Sequence, residues 1–341
     1  MAKVTFIIVL SLLVFKTGWV KLGELKETVF DPEQTLILDK DRILINDHAL
    51  KEFPIRNISF SSDSLISELR HGRGPGEVSS IFYKAFTKFT NGDILLWDAG
   101  LNRVTVFNTN LEYKYDVTGK ALQKRVYQAA LINDSTLVTI EYEDFFLKAW
   151  RFNDKRIEES DLLWKHSLKE IPELESLRNP IMLQTLYFTN YDNELYIAFE
   201  YSSLLMGINE EGIKFLKDGP DAIPIPNPRI DGQFSLPIMG EHPEGARDIT
   251  ADDKHVYVVF SGKNVSKFEQ MRYSFKFEDL IDKIKHSKRL WIFDRNNGSF
   301  IREEKLPLAA RTFQIYQDEA YILNTIENHP KIIKYQLPKD L

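Results

Sequence analysis

The chain has no cysteine in its 341 residues. That absence excludes thiol catalysis, thiolate zinc sites and disulfide cross-links. An excess of positive charge is also missing. Lys and Arg number 44 against 50 Asp and Glu, a net charge of −6, so no basic field exists to hold a nucleic-acid backbone. Nucleic-acid binding is not expected. Helical periodicity is scarce, and the catalytic signatures GxSxG and HExxH do not occur. The seven histidines show no metal-ligand spacing within one helix.

One apolar run stands out. Lys3 precedes "VTFIIVLSLLVF" at 4–15, and Lys16 follows it. The run is too short to span a bilayer comfortably, but it suits the apolar region of a secretory signal. We read residues 1–20 as a signal peptide, with an uncleaved anchor or a buried strand as the alternatives. Export to the periplasm or outer envelope is the expected localisation.

The remainder is rich in strand formers, with 23 Phe and 14 Tyr, and it repeats. A polar turn leading into a β-rich run occurs as "DKDRILIND" (39–47), "TNGDILLWD" (90–98), "INDSTLVTIEY" (132–142), "YDNELYIAFEY" (191–201), "ADDKHVYVVF" (251–260) and "YQDEAYILN" (316–324). The first apolar residues of these runs are Ile43, Ile94, Leu137, Leu195, Val256 and Ala320. In the second copy "SIFYKAFTKF" leads into the Asn91-Gly92 hairpin signal, and "DILLWDA", "RVTVFNT" and "LEYKYDV" follow it, four strand-like segments that are the content of one propeller blade. Six copies predict an all-β, six-bladed β-propeller with four-stranded antiparallel blades over residues 24–341. The last copy supplies only three strands, so "ELKETVF" at 24–30 is expected to provide the fourth and close the ring. Insertions are expected at 220–246, as a lid over the channel, and at 263–289. Within the second, "FEDLIDKIKH" reads as a short amphipathic helix.

Residues 70–77, "RHGRGPGE", pose the question of a phosphate loop. Neither a dinucleotide fingerprint nor a Walker loop fits, because Glu77 stands where a glycine is needed and no Lys-Ser or Lys-Thr follows. Pro75 also removes an amide that a phosphate nest would use. We read Gly72, Gly74, Pro75, Gly76 and Glu77 as a structural turn from the outer strand of blade 1 to the inner strand of blade 2. In it, Arg73 and Glu77 pair with each other or with backbone groups.

"GRGPGE" before an apolar strand, followed by "NGDILLWDAGLNRVTVFN", resembles the TolB-like six-bladed propeller proteins common in Bacteroidetes-type bacteria. The resemblance implies an exported propeller and brings no catalytic residues with it.

The candidate ligand-binding residues are Arg247 and Arg311, with Arg73 of the turn as a third. "ARDITADDKHVYVV" and "ARTFQIYQDEAYIL" place the first two at matching positions before adjacent inner strands, where two guanidinium groups clamp a carboxylate or phosphate. The competing reading is a buried ion pair with a neighbour such as Asp248. Glu241, His242 and Glu244 in "GEHPEG" are read as solvated loop residues, and "DRNNGSFIREE" as a hairpin turn and not a calcium loop. Residues 263–289 hold eight Lys or Arg against four acids, a solvated excursion or a contact with a partner or an anionic envelope surface. We therefore expect a monomeric, exported binding or scaffold propeller without a cofactor. Its partner is an unknown protein or a small anionic ligand at the channel mouth. The alternative is a hydrolase, lactonase or lyase with a divalent cation such as calcium in the channel.

Overall fold

The computed structural model describes residues 19–25, 29–80, 84–123, 126–141, 145–153, 156–171, 185–223, 243–263, 284–326 and 330–337. The signal-peptide run and most of both predicted insertions lie outside these residues. So do Glu241 and His242, and all but the last three residues of the expected helix.

Among the described residues the strands form six four-stranded antiparallel sheets, as the repeat predicts. The inner strands are Pro32–Ile37, Phe86–Lys88, Val126–Asn133, Leu186–Tyr191, Ala246–Ala251 and Thr312–Tyr316. Each repeat marker begins or nearly begins the second strand of its blade: Arg42–Asp47, Ile94–Asp98, Thr136–Glu141, Glu194–Phe199, His255–Phe260 and Glu319–Asn324. These second strands read as near-continuous apolar runs because both of their faces are buried. Along Glu194–Phe199, Leu195 and Ile197 pack toward blade 3, whereas Tyr196 and Ala198 pack toward blade 5. The described core is accordingly divided into six clusters, one between each pair of neighbouring blades. No single sheet buries both faces alone, and the ring supplies a neighbour on each side.

The ring closes with an N-terminal strand, but not the one expected. Trp19–Glu24 pairs antiparallel with Lys331–Tyr335, from Trp19↔Tyr335 to Glu24↔Lys331. Trp19 and Val20, read as the end of the leader, therefore begin the strand. Of the expected segment 24–30 only Glu24 belongs to this strand, for a geometric reason. The chain must pass from the outer edge of blade 6 to the inner edge of blade 1, about 14 Å at the usual strand spacing. The closing strand ends at Glu24 and the inner strand starts at Pro32, which leaves seven residues for that distance.

Each inner strand leaves one edge unpaired along the channel, and side chains from other blades cap those edges. Gln34 of blade 1 accepts from the Ala85 and Phe86 amides at 2.6 and 3.0 Å and donates to the Phe86 carbonyl at 3.1 Å. Thr87 of blade 2 accepts from Leu131 N of blade 3. Asp248 of blade 5 accepts from Phe313 N of blade 6 at 2.7 Å. Asn190 of blade 4 departs from this order, because it binds both the amide and the carbonyl of Lys88 in blade 2. Blades 2 and 4 thus touch across the inner end of blade 3, which is held back from the axis.

All inner strands run in the same sense, so the two faces of the ring differ. Far-face turns are short, and two of them, Asp192-Asn193 and Gln317-Asp318, have both residues at positive φ. That is the two-residue geometry whose twist matches antiparallel strands. Asp294 to Ser299 is likewise a hairpin turn, with Gly298 at φ +69°. The face where the inner strands begin carries the four longest connections, 70–85, 168–185, 219–245 and 261–286. We call it the mouth face. No helix among the described residues is long and apolar enough to cross a membrane.

Candidate functional site

The "RHGRGPGE" turn joins the outer strand Ser64–Leu69 of blade 1 to the start of blade 2. The carboxylate of Glu77 accepts from the Gly74 amide at 2.8 Å. A Cβ on Gly72 would come within 2.0 Å of that carboxylate, so position 72 is confined to glycine while Glu77 sits there. Glu77 occupies the concavity that a bound phosphate would need. The Gly74 amide, aided by the Arg73 amide and by Arg70 and Arg103, holds its carboxyl below the usual range. Arg103 of blade 2, which sequence reasoning did not single out, ties the turn down. Its Nη2 donates to the carbonyls of Gly74 and Glu77 at 2.9 and 2.7 Å, and its Nη1 pairs with Asp116 at 2.9 Å. Arg73 itself is exposed on the turn, away from the other two arginines.

Arg247 and Arg311 do come together, both 5% exposed at the mouth of the channel. Their charges are already met. Arg247 Nη1 donates to Glu200 at 2.7 Å, and its other terminal nitrogen pairs with Glu244. Arg311 Nη2 donates to Glu33 at 2.6 Å and to Asp31 at 3.1 Å, and its Nε reaches the Pro32 carbonyl. Lys285 adds a second cation on Glu33 at 2.9 Å. Asp248, the neighbour expected to pair with an arginine, is not a partner of either.

The electrostatics link the two halves into one network. Burial works to raise the Glu33 carboxyl, but Arg311 and Lys285 outweigh it and hold it below the ordinary value. Burial pushes the Glu200 carboxyl up, with Arg247 offsetting only part and the Glu33 charge adding to the rise. Burial also drives the Tyr187 phenol far up, and that phenol hydrogen-bonds with Arg247. The mouth therefore holds carboxylates of unequal affinity for protons, with Arg247 and Arg311 both committed.

Below the mouth the channel is plugged. Lys84 Nζ of blade 2 reaches across the axis to Asp248 of blade 5 at 2.6 Å, both side chains 1% exposed. Lys84 also lies 4.9 Å above the Tyr187 ring. Asp248 has its remaining hydrogen-bonding capacity taken by the amides of Ile249 and Phe313. A cavity of about 230 Å³ lies beyond this pair, lined by five of the six inner strands and not by any residue of the mouth network. Glu200 shared a recognisable signal. It follows its second strand at the position where Asp47 and Asp98 end theirs and hold the incoming chain. Lys84, Glu33 and Lys285 carried no pattern, since their meaning depends on which blades face each other. For the cation alternative, no group of three or more His, Asp or Glu side chains among the described residues stands in metal-ligating geometry.

No family model matches this chain, and no curated protein matches it. Solved structures with a similar fold include an exported protein, so described provisionally, from Bacteroides fragilis: 13% identity, 94% of each chain covered, TM-score 0.56. A member of the DUF4221 family from Bacteroides vulgatus is similar at 12% identity, with 94% of this chain and 98% of that chain covered and a TM-score of 0.55. A virginiamycin B lyase from Staphylococcus aureus aligns over 89% of this chain and 80% of that chain at 14% identity, with a TM-score of 0.46. At such identities the likeness is one of fold: this chain is a six-bladed β-propeller.

Proposed function

We propose that the chain is an exported, monomeric binding propeller of TolB-like kind, which uses its mouth face to hold a protein partner in the cell envelope. The observation that carries this reading is the one-sidedness of the connections. All four of the longest begin and end on the mouth face, whereas the longest far-face connection is the ten residues 152–161. Long connections on a rigid scaffold are where binding surfaces concentrate. The committed state of Arg247 and Arg311 supports a protein partner over a small anion. An anion clamp would have to displace Glu200 or Glu33 from a buried guanidinium, at a cost of several kcal/mol. The apolar run at 4–15, ahead of the closing strand, supports export, and the GRGPGE turn supports the TolB-like assignment.

Site-specific photo-crosslinking in intact cells tests the reading. A crosslinker at Lys51, exposed on the mouth face, should capture one discrete protein, and one at Asn91 on the far face should not. Replacing 224–242 and 264–283 with short Gly-Ser links should abolish the product. Equal capture from both faces, or none from either, sinks the proposal. A stoichiometric divalent ion in the purified protein, with hydrolytic turnover lost on chelation, would favour the metal-enzyme alternative instead.

A further inference from the structure

The closed half of the channel has no part in the mouth-face reading, and its chemistry is specific. Its floor is the Lys84–Asp248 pair, and its opening is on the far face, where Tyr191 is 38% exposed. At ~30 Å³ per water molecule, about 230 Å³ holds roughly eight waters or an organic molecule of about ten non-hydrogen atoms. A halide or phosphate would leave most of it empty.

The charge of the lining selects among organic molecules of that size. Two lysines, Lys84 and Lys88, are among the residues that line the cavity, with a single acidic residue, Asp248. Lys84 is neutralised by Asp248, whose oxygens are already shared with two amides. Lys88 is not neutralised: among the described residues its ammonium makes no hydrogen bond and no ion pair. The nearest charge to act on it is Asp39, which Arg42 already holds at 2.6 Å. Burial lowers the pKa of Lys88, as expected for a cation without a counter-ion in a partly dry wall.

Hydrogen-bonding capacity is left over as well. Gln314, 9% exposed, also lines the cavity, and its side-chain amide makes no hydrogen bond among the described residues. The Thr87 hydroxyl accepts from Leu131 N, which leaves its own proton to give. Between these points the wall is mixed, with Phe188, Ile249 and Ile37 beside Thr35, Thr189 and Thr250. A concave site that combines apolar surface with a few convergent polar groups is the usual make-up of a small-molecule site.

We propose that this blind half of the channel binds a small organic monocarboxylate with an apolar or aromatic body, entering from the far face with its carboxylate on Lys88. The site is separate from the mouth face and stands or falls independently of the protein-binding reading.

Isothermal titration calorimetry on the full chain with 4-hydroxybenzoate, a ten-atom probe of the required shape and charge, tests it. One-to-one saturable binding is expected. The neutral isostere 4-hydroxybenzamide and the cation 4-hydroxybenzylamine should each bind at least about tenfold more weakly, the loss of one charge-assisted contact. Lys88→Gln should weaken 4-hydroxybenzoate by a similar factor, and Gln314→Leu by less. Lys51→Gln on the mouth face should leave it unchanged. The Lys88 ammonium has no partner among the described residues, so the Lys88→Gln protein should melt as the parent does, and its loss of binding cannot be attributed to misfolding. The proposal is overturned if neither 4-hydroxybenzoate nor phenylacetate binds saturably. It is equally overturned if the amide, the amine or inorganic phosphate binds as well as the carboxylate, or if Lys88→Gln binds like the parent.

Discussion

Single side chains do more here than their positions in the sequence suggest. Arg103 lies on the third strand of blade 2, yet it holds the carbonyls of the blade 1–2 turn while paired to Asp116. A lysine there keeps the charge and loses the fork. Arg103→Lys should therefore destabilise the fold by about 1–3 kcal/mol in denaturant titrations, because at least one buried carbonyl goes unpaired. Glu33 gives a second test with a definite sign. Its folded-state carboxyl titrates below its unfolded value of 4.5 because Arg311 and Lys285 favour the charged form. Stability from this group is thus present above pH 4.5 and lost as pH falls through the lower folded value. Glu33→Gln should cost about 2–4 kcal/mol at pH 7, since Arg311 loses a buried partner. The difference between parent and variant should shrink as the pH is lowered below 4.5. A gap that stays constant down to pH 3 would show that Glu33 is not held by those cations. Glu200, whose carboxyl is raised, works in the opposite sense. Its charge weakens the fold as pH rises through its folded value, so Glu200→Gln should cost less than Glu33→Gln at pH 7.

A blade becomes stable only through what its neighbours give it. The apolar side chains of each second strand divide between two interfaces, and the open inner edges are capped by polar groups from other blades. The Lys84–Asp248 pair is the longest-range of these ties, joining blades 2 and 5 across the axis. Lys84→Met should cost about 3–5 kcal/mol, because Asp248 would remain buried and charged without its cation. With Asp248→Asn as the second mutation, a double-mutant cycle should show a coupling of about 1–3 kcal/mol. Additive effects would mean that the two groups do not meet.

For the whole molecule, the decisive contact is the one that joins its ends. Val20 stands directly opposite Lys334 in the closing pair of strands. Opposed residues in an antiparallel ladder are within disulfide reach. Because the chain has no cysteine of its own, Val20→Cys with Lys334→Cys should give one unambiguous intramolecular cross-link, visible as a mobility shift reversed by reductant. Oxidation should raise the melting temperature, since the bridge closes nearly the entire chain into a loop. If the ring closed through 24–30, as the sequence suggested, these two residues would not be apposed and no bridge would form.

The blade count was legible because it is a local property. A turn followed by a strand buried on both faces leaves the same apolar signature six times, and each marker from Ile43 to Ala320 fell on a second strand. The corner at 70–77 was readable for the same reason, since glycine and proline speak about their own backbone. Only the assembled ring decided the closing strand, which depends on how far the chain must travel between blade edges. It also decided which carboxylates meet Arg247 and Arg311, and that Lys84 from blade 2 faces Asp248 of blade 5. Apart from Glu244, three residues before Arg247, those partners lie tens to hundreds of residues apart, and no pattern along the chain encodes which charge will stand across a channel from which.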